Sequence, residues 1–162
     1  MATITNLSGN NGPLTSIKVP LGKRVLPERA IYGLEGFVNW MINEVPEYVQ
    51  GRKDAADTPQ EQLDAILFKW ISGGEMKYDR MFKDLMPASD EVWELKTVDL
   101  RIFGWMYQPR VFIAVVGGYT DDYKFPNPKK SYETARNMVV AARNSLNLDE
   151  PKYVSGVFDA LV

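Results

Sequence analysis

The sequence predicts an α+β domain: two N-terminal helices packed on a small twisted antiparallel sheet, with a C-terminal helix behind. Three observations carry this. Apolar residues recur at helical spacing in two blocks between Ile31 and Ile71. From Glu91 to Tyr119 that spacing gives way to short runs of strand type, and from Ser131 it returns. A chain of 162 residues, 45% hydrophobic and 25% charged, is one globular domain able to bury a core.

Residues 1–30 read as an extended arm, because SGNNGP, Pro20, Gly22 and Pro27 leave no helical period. The plain reading is a loose tail or an edge strand at residues 16–19; the sharper one is an arm lying on a partner. The domain proper is expected over 31–146. Its first helix carries the stripe Ile31, Leu34, Phe37, Val38, Met41, Ile42 and Val45, and Pro46 interrupts it. The second follows a polar connection. Thr58 is placed to cap it, Pro59 takes the first helical position, Glu61 completes a capping box, and Gly73-Gly74 ends it.

Three strands are expected next. In residues 91–98, Val92, Glu94 and Lys96 alternate with Trp93, Leu95 and Thr97, which puts the two charges on one side. Residues 100–106 make the second strand, and Gln108-Pro109 marks the turn after it. The apolar run in residues 110–119 suggests a central strand buried on both faces, with Gly117-Gly118 bending the backbone out of the sheet. After a Pro-rich loop, Ser131 caps a helix with the stripe Tyr132, Ala135, Val139, Ala142 and Leu146. The tail, 147–162, is apolar enough to dock.

Composition removes several chemistries. Without cysteine there is no disulfide or thiolate, and without histidine a zinc site loses its commonest ligand. No residue set expects a metal or a cofactor, and no phosphate-cradling loop or nucleophile elbow occurs. The longest apolar run is too short to span a bilayer and the N-terminus lacks a secretory pattern, so a cytoplasmic protein without a membrane partner is expected. Net charge is −2, which counts against a basic nucleic-acid grip. Residues 1–30 are locally basic, with Lys18, Lys23, Arg24 and Arg29 against Glu28, whereas residues 31–90 hold eleven acids against six bases.

WELK at 93–96, LRIF at 100–103, VFIAVVGGY at 111–119 and YETA at 132–135 together resemble the RelE/ParE toxin superfamily. The likeness is to its HigB-like, phage-derived branch. FKDLMPASDEVWELK fits the family's lead-in to the first of these strands. The resemblance spans residues 31–144 and implies a RelE-like fold, an antitoxin partner, and cleavage of mRNA in the ribosome. A host cytoplasm or a virion is the implied location.

Metal-free RNA cleavage has the 2′-hydroxyl attack the neighbouring phosphate, so it needs a base, an acid and cations against the growing charge. By the resemblance, Lys96, Arg101 and Tyr132 are the catalytic candidates. Lys96 ends the first strand, Arg101 contacts the scissile phosphate, and Tyr132 stacks or transfers a proton. Asp121 and Asp122 stand where the family carries a basic turn, so Lys124, Lys129 and Lys130 become the substrate-binding candidates, provided the loop folds back. Each has a plainer reading. For Lys96 it is a solvated sheet residue, for Arg101 an ion-pair partner of Glu94 or Asp99, and for Tyr132 a place in the core. Two functions are therefore expected to compete. One is a toxin-like endoribonuclease; the other is a non-enzymatic phage-derived interaction or assembly protein that meets phage or host subunits through its N-terminal arm.

Overall fold

A computed structural model describes residues 2–9, 11–49, 56–124 and 126–162. The fold is mixed α+β, with a six-stranded open sheet and, among the described residues, six α-helices. The strands are β1 (Leu14–Ser16), β2 (Ala30–Leu34), β3 (Phe82–Asp84), β4 (Trp93–Lys96), β5 (Leu100–Gln108) and β6 (Val111–Tyr119), in the spatial order β1-β2-β6-β5-β4-β3. All neighbours are antiparallel except β2 and β6, which run parallel.

The expected arrangement of two N-terminal helices on a small antiparallel sheet is therefore not what forms. Residues 31–34, read as the first turn of a helix, are strand β2, and the helix α2 begins only at Glu35 (Glu35–Asn39). Gly33 explains the sharp change. A Cβ there would come within 2.7 Å of the Phe37 ring and 3.0 Å of Val38, so the first helical turn folds back over a bare backbone. The helix then widens into a π turn (Trp40–Glu44) and tightens into a 3₁₀ turn (Val45–Glu47) around Pro46, which has no N–H to give to the turn before it. The polar connection that follows falls partly on residues 50–55, outside the described residues.

Helix α3 (Pro59–Ile71) forms where its signals place it. The Thr58 side chain accepts from the Glu61 N–H, the Glu61 carboxylate accepts from the Thr58 N–H, and Gly73 closes the helix at φ +79°. Trp70, fully buried on its inner face, donates to the Ala30 carbonyl, and Arg29 donates to Gly74 O at the helix end while lying over the Trp70 ring.

Both faces of the sheet are covered. On one lie α2, its π turn, α3 and the C-terminal helix α6 (Phe158–Leu161), around Phe37, Trp70, Phe82, Ile102 and Phe112. On the other lie the N-terminal turn α1 (Ile4–Leu7), α4 (Thr120–Tyr123) and α5 (Tyr132–Ser145), over Phe103, Trp105, Ile113 and Val139. The segment read as an arm thus places Leu14 and Ile17 in the core, at 2% and 8% exposure. The tail docks as well: the Trp105 indole donates to Lys152 O, and Arg110 N–H to Leu161 O.

Strand β6 is central and buried on both sides, and a bulge at Val115 shifts its register against β5. Gly117 and Gly118 do not bend the chain out of the sheet; both pair with β5. A Cβ on Gly117 would overlap the Trp40 indole on one face, and a Cβ on Gly118 would meet the Tyr123 ring at 2.9 Å on the other. Each glycine makes room for one aromatic ring.

Gly117→Ala should lower unfolding free energy by about 1–3 kcal/mol in urea melts, because the buried indole has nowhere to go. Gly118→Ala should cost less.

Candidate functional site

Strands β4 and β5 are joined by the turn 97–99, so Lys96 and Arg101 are direct cross-strand partners and share a face. Glu94 lies on that face one position further along, opposite Phe103, and Lys83 of β3 is its partner on the other side. Asp79 reaches in from the turn before β3. Its carboxylate accepts from Lys83 Nζ at 2.9 Å and stands 3.9 Å from Lys96 Nζ. The result is three cations and two carboxylates on one corner of the sheet.

Arg101 is 9% exposed. Its Nη1 donates to Thr97 O at 2.7 Å and to Leu100 O at 2.9 Å, so the guanidinium braces the turn from which its own strand starts. Its Nε lies 3.9 Å from Glu94 Oε2, and both atoms are buried without a hydrogen-bond partner. The turn is held from above too. Gln62 of α3 donates to Asp99 Oδ2 and accepts from Asp99 N–H and from the Thr97 hydroxyl, while Thr120 N–H donates to Asp99 O.

Glu94 is 2% exposed. Burial pushes its carboxyl above the ordinary 4.5, although Arg101, Lys96 and Lys83 pull the other way. Lys96 is lowered, first by burial and then by Arg101 and Lys83, with Glu94 opposing. The Tyr123 hydroxyl is pushed up to about 12 by burial, Asp122, Tyr132 and Glu94, so at neutral pH it keeps its proton and cannot serve as a base.

The sequence candidates do not converge on one place. Lys96 and Arg101 are together. Tyr132, on the first turn of α5, is 39% exposed; its ring stands edge-on to Phe103 at 5.9 Å and tilted to Tyr123 at 5.1 Å. Tyr123 lies over Gly118, the β6 partner of Arg101, and so links Tyr132 to the charged corner. Lys129 and Lys130 instead line a separate cleft of about 550 Å³ between α5 and Tyr123. The loop does fold back, since Lys130 N–H donates to Asp122 O, but its Nζ then sits 3.9 Å from the Asp122 carboxylate. Lys124 follows α4 and is half-buried. Lys96 opens onto another cleft, of about 570 Å³, with Gln62, Lys69, Asp79 and Arg80.

Lys83, Asp79, Tyr123 and Gln62 were not foreseen. Gln62 alone left a signal, four residues before Ile66 and so on the buried stripe of α3; the others arrive from elements whose pairing the sequence does not display. Among the described residues no group of three or more Asp or Glu is placed to hold a metal, and no helix is long and apolar enough to cross a membrane. No family model, curated protein or solved structure matches the chain.

A carboxyl held above 4.5 keeps its proton in the folded chain at a pH where the unfolded chain has lost it. Raising the pH from 4.5 through the folded value therefore costs stability, and the loss persists above that window. Glu94→Gln should melt at higher urea than the parent above this window and level with it below 4.5. Arg101→Ala should destabilise at neutral pH by about 3–5 kcal/mol, since it strips a buried carboxylate of its nearest cation.

Proposed function

We propose that this chain is a non-enzymatic interaction protein on a RelE-like framework, of the phage-derived kind. The fold likeness is part of the proposal: α2, α3, the three strands β4–β6 and α5 follow one another in the order expected of that superfamily. Strands β1, β2 and β3 are additions to the expected plan, and helices cover both sheet faces.

One observation carries the interaction reading. The arginine needed to meet a phosphate is bound into its own turn, with Nη1 on two carbonyls, Nε facing Glu94 and 9% of its surface exposed. A phosphate would have to reach a guanidinium that is almost wholly covered and approach a corner that already holds Glu94 and Asp79. Lys130, a further candidate cation on the loop beyond β6, faces Asp122.

A second reading keeps a specific support. Lys96 and Arg101 are cross-strand partners beside a buried carboxyl and two tyrosines, a set with the residue types for metal-free RNA cleavage. In that reading Lys96, Arg101 and Tyr132 act on mRNA in the ribosome and an antitoxin holds the chain inactive.

Induced expression should leave growth and cellular mRNA intact, read by growth curves and by mapping of RNA 5′ ends. Growth arrest with RNA cleavage that disappears in Lys96→Ala would overturn the interaction reading. Lys96 is the better probe because Arg101→Ala also weakens the fold.

A further inference from the structure

A groove of about 630 Å³ lies away from the charged corner. It runs between the segment after β1, the π turn and α3. Ile17 and Leu67, at 8% and 4% exposure, form its floor; Val19 and Met41 are half-buried on its sides. Two large apolar side chains on its lining remain open to solvent, Ile42 at 59% and Phe68 at 43%. Apolar groups of this size on rigid elements beside a formed groove mark a contact surface.

The polar residues of the groove indicate the occupant. Lys18, exposed and without a charged or hydrogen-bonded partner among the described residues, stands on the wall made by the segment after β1. Asp64 stands on the α3 wall, four residues before Phe68 and therefore on the same ridge of that helix. Its Oδ1 accepts from Gln60 Nε2 at 2.9 Å, and its carboxylate has no cation partner among the described residues. One wall thus offers a cation beside the π turn that carries Ile42, and the other a carboxylate in line with an exposed phenyl ring. A two-fold interface requires such self-complementarity, with residue i meeting j while j meets i. A net charge of −2 adds little repulsion between copies.

We propose that a second copy of this chain occupies the groove. The Asp64–Phe68 ridge of each copy enters the other's groove, Phe68 covers Ile42 of the partner copy, and Asp64 meets Lys18 across the two-fold axis. This names the partner for the interaction reading above and rests on that reading.

The test uses the full chain, since Leu14 and Ile17 are core residues and an arm deletion would disturb the fold. Light scattering behind size exclusion should give twice the 18.4 kDa chain mass. Phe68→Asp should give a monomer with an unchanged far-UV circular dichroism spectrum. Lys18→Asp should raise the dimer dissociation constant about tenfold, because two symmetry-related exposed pairs are lost. The double variant Lys18→Asp with Asp64→Lys should restore the parent value. A parent chain that is monomeric at every concentration overturns the proposal, as does a dimer indifferent to Phe68→Asp or a double variant that stays weak. A monomer that cleaves no RNA removes only the second copy as partner. RNA cleavage abolished by Lys96→Ala removes the interaction reading itself, whatever the mass.

Discussion

The pairing of β5 with β6 is the constraint from which the rest follows. The two strands lie at the middle of the sheet, and helices press on both of their faces. Every side chain along them must therefore either pack or find an internal partner. The apolar positions pack, with Ile102, Met106 and Phe112 on one side and Phe103, Trp105 and Ile113 on the other. The two consecutive glycines yield their side-chain space to Trp40 and Tyr123, so one aromatic ring packs close against each face at the end of the ladder.

Arg101 is the exception that this burial forces into a solution. A guanidinium on a covered strand cannot shed its charge, so it needs acceptors close by. The turn supplies two carbonyls and β4 supplies Glu94. Burial of that carboxyl raises its pKa, which Arg101, Lys96 and Lys83 only partly offset. The cations of this corner each face a carboxylate of the same chain, and on the proposed reading that pairing is what sets it apart from a phosphate site.

The surface divides accordingly. The charged corner pairs its cations with carboxylates of the same chain, while the groove between α3 and the segment after β1 leaves apolar side chains and the Lys18 ammonium outward. Residues 14–18 serve the core and the groove together: Leu14 lies in the core beneath α1, Ile17 floors the groove, and Lys18 stands on its wall. On the proposed interface, binding and folding share this short segment.

Local chemistry in the sequence determined α3 with its capping box, α5 with its serine cap, the strands β4 to β6, and the shared side of Glu94 and Lys96. Each depends on residues within a few positions of one another, where spacing and caps are read directly. Tertiary structure decided the remainder. Residues 31–34 fit a helical stripe, yet they form a strand because a parallel partner, β6, arrives from far along the chain. Likewise alternation could pair Lys96 with Arg101, but the burial that ties Arg101 to its own turn, and the arrival of Lys83, Asp79 and Tyr123 beside it, depend on which layers close over the sheet. Periodicity records which face a residue takes; it carries no record of what covers that face.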